Sequence, residues 1–220
     1  MIASRLIKED ILPLDLNDSF EEAMSRMNEY KVSHFPVADN GNFIGVIAEK
    51  DIYNIENPEV ELKKECLHFD NYYVNENQYV FDILKLSSNQ KLSIVPVIDD
   101  SGKYLGSITQ YDILSFFAES MAVDNPGGVI ILEVSVVDYS LMEIANIIET
   151  NDAKVLSSSI VSKANSTKIS VIVKVSKIDL GAILQTFERY GYKVLASFQE
   201  SVDYDELKDN YDSLINYLNI

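Results

Sequence analysis

An internal repeat in the first half of the chain constrains the fold more than any other feature. Residues 34–52 (HFPVADNGNFIGVIAEKDI) align with residues 94–113 (IVPVIDDSGKYLGSITQYDI), which carry one extra residue in a turn. The two segments share a Pro-Val pair, an Asp, two glycines and a closing Asp-Ile. Self-similarity of this kind indicates that one supersecondary unit is used twice and that its copies pack on each other.

Both copies predict the same local structure. The Pro-Val pairs lie at the starts of short apolar strands, where the missing N–H of proline is tolerated. Segments 39–41 and 99–102 predict hairpin turns that lead into return strands. Upstream, Ser19 to Glu22 fits a capping box before an amphipathic helix, and Val80 to Ser87 is its counterpart. Each copy is therefore predicted as strand, helix, strand, hairpin, strand, helix.

This pattern resembles the cystathionine-β-synthase (CBS) domain, which occurs as a tandem pair called a Bateman module. The resemblance covers about residues 1–120. It rests on the repeated hydrophobic-Pro-Val triplet followed by a glycine and, after five further residues, an aspartate. We therefore expect a CBS-domain pair over residues 1–124, with repeats over about 1–60 and 61–124.

In CBS domains the segment G-h-x-[ST]-x-x-D supplies the ribose site of an adenosine ligand. The second copy keeps this segment from Gly106 to Asp112, so the resemblance implies Thr109 and Asp112 as ligand-binding residues. A carboxylate can accept hydrogen bonds from two neighbouring sugar hydroxyls, to which a Thr hydroxyl adds a donor and an acceptor. The first copy has Asp51 but carries Ala48 in place of the hydroxyl residue, so its site ranks second. Thr109 and Asp112 equally fit an N-terminal helix cap, and the sequence leaves both roles open.

The resemblance also implies residues for the rest of the ligand. A residue two positions before the proline can reach the phosphate of a ligand that the partner repeat holds, and here this residue is His34, next to Ser33. The alternative for His34 is a side chain packed at a strand end. The remaining implied ligand contacts are Val74, Val95 and Pro96. The implied ligands are AMP, ADP, ATP or S-adenosylmethionine, and the acidic chain favours a monophosphate or an uncharged adenosine moiety over a triphosphate without Mg²⁺.

A second domain begins after the turn-forming run at residues 124–128, and we place it at residues 125–202. Its apolar pattern predicts the order βαββαβ, a ferredoxin-like α+β layout. Order and length resemble the ACT domain, a regulatory module that often binds amino acids at a dimer interface. Amino-acid-binding ACT domains usually carry D-x-x-G after the first strand, whereas residues 138–142 (DYSLM) have no glycine. The sequence therefore favours a sheet that pairs with its copy in another subunit over one that binds amino acids.

Residues 203–220 predict an amphipathic C-terminal helix that docks on a neighbouring domain or subunit.

Composition argues against several classes of function. The net charge of -17, most of it before residue 125, opposes binding to nucleic acid or to an anionic membrane surface. No apolar run is long enough for a membrane span. The single cysteine, Cys66, excludes an intrachain disulfide, and with His68 and Asp70 it forms too small a set for a metal site or a thiol nucleophile. The expected location is the reducing cytoplasm.

No catalytic triad, P-loop, metal cluster or dinucleotide motif is present, so the chain is not expected to be an enzyme. The sequence predicts a homodimeric regulatory sensor that binds an adenosine-type ligand between its CBS repeats. The ligand stabilises one arrangement of the repeats, and this conformational bias passes to the dimer partner or a client protein. The alternative is a non-catalytic interaction or oligomerisation protein with vestigial pockets. Ala48 and the missing ACT glycine support that alternative.

Overall fold

The structure is a computed structural model that describes residues 1–8, 10–53, 55–64, 69–163 and 166–199. Cys66, His68 and the predicted helix over residues 203–220 lie outside the described residues. The chain divides into two compact units, Met1–Phe117 and Ala118–Ile220, and each is described by itself. Among the described residues, no helix has the length and apolar character needed to cross a membrane.

The first unit contains the two repeats, each built around a three-stranded sheet. The first repeat consists of β1 (Leu14–Asp15), α1 (Phe20–Tyr30), β2 (His34–Asp39), β3 (Asn42–Ala48) and α2 (Glu49–Ile52). The second consists of β4 (Val74–Asn75), α3 (Val80–Gln90), β5 (Ile94–Ile98), β6 (Tyr104–Thr109) and α4 (Gln110–Ser120). In each sheet the central strand pairs in parallel with the short first strand and antiparallel with the return strand. The order predicted for the repeat is confirmed.

The helix ends follow from local sequence. Ser19 caps α1, since its hydroxyl accepts a hydrogen bond of 3.1 Å from the Glu22 N–H. Helices α1 and α3 both end at a lysine in the left-handed conformation, Lys31 with φ 56° and Lys91 with φ 55°. Glycine is the usual residue at such a position. A lysine there places a positive charge at the helix C-terminus, where it interacts favourably with the helix dipole.

The segments that precede the two short strands cross the opposite repeat. Lys8 forms an isolated antiparallel bridge to Ser107 on β6, and Asp70 forms the matching bridge to Val46 on β3. The crossings need glycine beneath them. A Cβ on Gly106 would lie 2.9 Å from the Lys8 carbonyl oxygen, and one on Gly45 would lie 3.0 Å from the Asp70 carbonyl oxygen. The repeated glycines of the sequence are thus explained by close packing of backbone on backbone.

The second unit has the predicted βαββαβ order. Its elements are β7 (Gly128–Ser135), α5 (Leu141–Glu149), β8 (Val155–Ser162), β9 (Lys168–Val175), α6 (Gly181–Arg189) and β10 (Lys193–Gln199). They form an antiparallel sheet in the order β10-β7-β9-β8. Alternate residues of β7 and β9 are buried against apolar residues of both helices, such as Ile144, Ile183 and Phe187. The ferredoxin-like α+β layout is confirmed.

Residues 138–142, which lack the glycine of the D-x-x-G motif, contain the start of helix α5. Ser140 is the N-cap of α5, and its hydroxyl accepts a hydrogen bond of 3.3 Å from the Glu143 N–H. A serine cap of this kind satisfies one of the free N–H groups of the first helical turn.

Candidate functional site

A cleft of about 540 Å³ lies where the two repeats of the first unit meet. Two segments of the first repeat and two of the second line it. The lining residues are Lys8, Asp10, Ile11, Tyr30, Lys31, Val32, Ser93, Thr109, Gln110, Tyr111 and Asp112. The volume is within the usual range for small-molecule sites, and the lining combines apolar and aromatic side chains with a few polar groups.

Thr109 and Asp112 lie together at the start of α4, where they form a reciprocal cap. One carboxylate oxygen of Asp112, Oδ2, accepts hydrogen bonds from the Thr109 N–H at 2.9 Å and from the Thr109 hydroxyl at 2.6 Å. The Asp112 N–H donates to the same hydroxyl oxygen at 3.2 Å. The capping role that the sequence left open is therefore observed. It uses one carboxylate oxygen and leaves Oδ1 for another partner.

That partner in the structure is Lys8, whose Nζ lies 3.6 Å from Asp112 Oδ1. The Asp112 side chain is 12% exposed, whereas that of Lys8 is 54% exposed. Water therefore screens the lysine end of the pair, and its contribution to stability is small. Asp112 is held rigidly by its cap, while Lys8 sits on a flexible stem.

Backbone and tyrosine hydrogen bonds hold the Lys8 segment at the cleft. The Lys8 N–H donates to the Ser107 carbonyl at 2.9 Å. The Tyr104 hydroxyl donates to the Ile11 carbonyl at 2.7 Å and lies 2.8 Å from the Ser107 hydroxyl. Burial raises the pKa of Tyr104 above its usual value, so the phenol stays protonated and remains a donor. The cleft wall from Lys8 to Ile11 is thus fixed to β6.

His34 and Ser33 do not line the cleft themselves, but both contact Ser93, which does. The His34 Nδ1 accepts from the Ser93 N–H at 3.3 Å and lies 3.2 Å from the hydroxyls of both Ser33 and Ser93. Ser93 itself lines the cleft. Burial lowers the pKa of His34, with a further lowering from Lys50, and nearby carboxylates, of which Asp70 is the largest, act in the other direction. Neutral imidazole therefore predominates at pH 7.

The other predicted ligand residues lie elsewhere in the first unit. Val74 and Val95 are buried in the core of the second repeat, and Pro96 pairs with Ser107 on the neighbouring strand. Asp51 lies on α2 of the first repeat, half-buried. None of these is among the residues that line the cleft. The structure thus brings Thr109 and Asp112 together at the cleft, with His34 and Ser33 behind it, and places the others apart.

Several lining residues were missed by sequence reasoning, above all Lys8, Tyr30 and Ser93. Two signals in the sequence could have found part of this set. A serine stands two residues before each hydrophobic-Pro-Val triplet, Ser33 in the first copy and Ser93 in the second. The equivalent glycines at positions 45 and 106 allow another backbone to pass close by, although they do not identify which one.

Comparison with known proteins identifies the first half of the chain. The family model for the CBS domain matches residues 3–56 and 65–119. This part of the chain therefore belongs to the CBS domain family, as a tandem pair.

Three relatives illustrate the likeness. An inosine-5'-monophosphate dehydrogenase from Korarchaeum cryptofilum is 29% identical over 118 residues, which are 54% of this chain and 24% of that protein. An uncharacterized protein from Methanocaldococcus jannaschii is 28% identical over 111 residues, 50% of this chain and 37% of that protein. A solved structure of a CBS domain pair/ACT domain protein from Thermotoga maritima is 20% identical, covers 55% of this chain and 99% of its own, and has a TM-score of 0.49. The chain spans well under half the length of the first two relatives.

Proposed function

We propose that this chain is a regulatory protein that binds an adenosine-type ligand in the cleft between its CBS repeats. The observation that carries the proposal is the position of Asp112. Its carboxylate is nearly buried at the edge of a cleft of about 540 Å³, and one of its two oxygens takes no part in the helix cap. A carboxylate oxygen so placed can accept hydrogen bonds from the ribose hydroxyls.

The rest of the cleft suits a nucleoside. Tyr30, Tyr111, Ile11 and Val32 offer aromatic and apolar surface for a purine ring. The Ser93 hydroxyl adds a polar group on the same wall as Asp112, since the Gln110 N–H donates to the Ser93 carbonyl at 3.0 Å, and it accepts a hydrogen bond from the Ser33 N–H of the first repeat at 2.9 Å. A ligand that touches both Asp112 of the second repeat and Tyr30 or Val32 of the first favours one arrangement of the two repeats, and this bias is what a regulatory module passes on.

The second unit is proposed to be an ACT-like domain through which the chain forms a homodimer. Strands β8 and β10 are the two edges of its sheet. Both carry exposed apolar side chains, Ile160 and Val161 on β8 and Leu195 and Phe198 on β10. Exposed apolar edges favour pairing with another strand. The dimer partner or a client protein would receive the effect of the ligand.

The competing proposal is an interaction protein whose cleft no longer binds a ligand. The observation in its favour is that both Asp112 oxygens already have partners, Thr109 for one and Lys8 for the other. In that case the two residues only stabilise α4.

Calorimetric titration and thermal unfolding with AMP, ADP, ATP and S-adenosylmethionine separate the two proposals. A ligand at 100 times its dissociation constant should stabilise the chain by about 2.7 kcal/mol. Asp112→Asn should abolish binding while keeping an oxygen for the cap, because the amide group then presents a donor where the ribose needs an acceptor. The control is Asp82→Asn, at an exposed position of α3 outside the cleft, which should leave binding unchanged. If none of these compounds binds, the interaction protein is the correct reading.

A further inference from the structure

A groove of about 590 Å³ lies on the second repeat, on residues that do not line the cleft at Asp112. The segment around β4, the turn that follows it and helix α3 form its walls. Amide, tyrosine and leucine side chains line it, namely Asn71, Tyr72, Tyr73, Asn75, Gln78 and Leu86. None of the described lining residues carries a charge, although the whole chain has a net charge of -17. The proposed function gives this groove no role.

An arginine fills the equivalent place in the first repeat. Strands β1 and β4 begin 60 residues apart, and so do helices α1 and α3, so Arg26 is the counterpart of Leu86. The Arg26 Nη1 donates to the carbonyl of Leu12 at 3.4 Å and to that of Pro13 at 3.2 Å. Arg26 therefore joins the segment before β1 to helix α1 and closes the first repeat at this place.

The second repeat keeps the frame of this arginine site. In the first repeat the Asp15 N–H donates to Asp18 Oδ2 at 2.9 Å, and Arg26 Nη2 lies 3.6 Å from the same oxygen. In the second repeat the Asn75 N–H donates to Gln78 Oε1 at 2.7 Å, which is the same turn with an amide in place of the carboxylate. The Gln78 oxygen keeps a lone pair for a second donor, at the place where Asp18 meets Arg26.

What the second repeat lacks is the donor. Tyr72 and Tyr73 correspond to the two residues whose carbonyls accept hydrogen bonds from Arg26 in the first repeat. The side chain of Leu86 has no hydrogen-bond donor, and in the part of the chain that the structure describes no other side chain donates to these two carbonyls. Two acceptors at the groove are therefore left for a group from outside the repeat.

A guanidinium group matches the surroundings of these acceptors. It is planar, weakly hydrated and rich in N–H donors, and it stacks on aromatic rings. Leu86 offers apolar surface for the carbon chain of an arginine, and Tyr73, whose ring lies edge-on to Phe43 with 5.8 Å between centroids, offers an aromatic face. The carboxylate of Asp100, which accepts from Asn75 Nδ2 at 3.3 Å, brings negative charge near the groove. A cation is therefore favoured over an anion.

We propose that this groove binds an arginine side chain of a partner peptide, in the place that Arg26 fills in the first repeat. The peptide context follows from charge. Free arginine brings a carboxylate, and none of the described lining residues is a cation that could pair with it. Within a peptide the backbone is neutral, and the amide groups of Asn71 and Gln78 can hydrogen-bond to it. The groove is thus an interaction surface that is independent of the adenosine ligand.

The test is an NMR titration of the full chain with acetyl-arginine amide, acetyl-citrulline amide and free L-arginine. Acetyl-arginine amide should shift the backbone amide signals of residues 71–78 and of Leu86. It should bind about tenfold more tightly than acetyl-citrulline amide, because citrulline has a neutral urea in place of the guanidinium. It should also bind more tightly than free L-arginine, which adds an unpaired carboxylate.

Two variants use the correspondence between the repeats. Leu86→Arg supplies the guanidinium internally and should remove the shifts, whereas Leu86→Met, the matched control, should retain them. Arg26→Leu gives the first repeat the residue of the second, so acetyl-arginine amide should produce a second set of shifts, at residues 12–18. This second variant tests the site even if Leu86→Arg impairs folding.

Three results would overturn the proposal. No shift with acetyl-arginine amide, or equal affinity for acetyl-citrulline amide, would show that the groove does not recognise a guanidinium group. Tighter binding of free L-arginine would remove the peptide as the partner. Unchanged shifts in Leu86→Arg together with no new shifts in Arg26→Leu would show that the Arg26 contacts are no guide to the groove. The proposed binding of adenosine ligands stands in each case, since the cleft and the groove share no lining residue.

Discussion

The two repeats of the first unit are built on one plan but end differently. Both have a central strand between a parallel and an antiparallel neighbour, a glycine beneath a crossing segment and a left-handed lysine after the first helix. The closing helix separates them. Helix α4 has 11 residues and begins with the cap formed by Thr109 and Asp112, whereas α2 has 4 residues and no side-chain cap at Ala48.

The charge at the crossings also differs, with Lys8 over the second repeat and Asp70 over the first. What the repeats share therefore serves the packing of the pair, and two of the residues in which they differ, Lys8 and Thr109, line the cleft. This contrast separates residues that the fold needs from residues that the proposed ligand would contact. It leads to three predictions.

The largest effect is expected where the repeats agree. Gly106→Val and Gly45→Val should each lower the free energy of unfolding of the first unit by about 3 kcal/mol or more, because the new side chain meets the backbone of the crossing segment. Gly106→Val should be the worse of the two, since Gly106 has a φ of 150° and a β-branched residue is strained there. Chemical denaturation measures both variants.

The control for this prediction is Gly102→Val, because a Cβ at Gly102 meets no atom within 4 Å. Its φ of 85° adds strain of its own, so it isolates the conformational part of the loss. A loss in Gly45→Val no larger than in Gly102→Val would contradict the packing role of the crossing.

A smaller effect is expected where the repeats differ. Thr109→Ala should lower the free energy of unfolding by about 1 kcal/mol, since it removes the hydroxyl that exchanges hydrogen bonds with Asp112. This change gives the second repeat the residue that the first already has at Ala48. Hydrogen exchange at the first turn of α4 should rise together with the loss. Thr109→Ser should recover most of the stability, and an unchanged exchange rate in Thr109→Ala would refute the cap.

The smallest effect concerns the pH dependence of the free energy of unfolding. It arises from His34, whose counterpart in the second repeat is Ile94, a residue that does not titrate. Burial lowers the pKa of His34 in the folded state below that of an unfolded histidine, so the unfolded chain binds the proton more readily. The contribution of neutral His34 to the free energy of unfolding is complete above about pH 6.5. It is lost as the pH falls through that value towards the pKa of His34 in the folded state.

The measurement is the free energy of unfolding at pH 7.5 and at pH 5.5, for the wild type and for His34→Gln. We expect the wild type to lose up to about 1 kcal/mol more than the variant, a small value because His34 is only half-buried. Identical pH dependence in both proteins would show that His34 is not held neutral by its surroundings. The charged groups around His34 are Lys50, Asp70, Asp51 and Glu49, and all are kept in the variant.

Sequence reasoning reached the parts of the molecule that local patterns encode. The repeat, its hairpins at Gly41 and Gly102 and the βαββαβ order of the second unit all depend on turn residues and on apolar periodicity within a short stretch. The cap formed by Thr109 and Asp112 was predicted for the same reason, because both residues lie within one short motif.

The sequence could not predict which residues far apart along the chain contact one another. Lys8 and Asp112 lie at opposite ends of the first unit in sequence, and nothing in the segment around Lys8 states that it crosses β6. The left-handed lysines, Lys31 and Lys91, override the usual preference for glycine at a helix end, so neither was recognisable as special. Val74 and Val95 were assigned to the ligand by resemblance, whereas tertiary packing places both in a core.

The exchange of crossing segments has a consequence for how the chain can be divided. The backbone N–H groups of Ala3 and Ser4 donate hydrogen bonds to the carbonyls of Gln78 and Glu76, so the beginning of the chain completes the second repeat. Conversely, Asp70 and Val46 exchange backbone hydrogen bonds, so the segment around Asp70 completes the first repeat. Severing the chain between the repeats would leave each fragment without a strand-like segment that only the other can supply. The two fragments should then recover native structure together and stay incomplete when expressed apart.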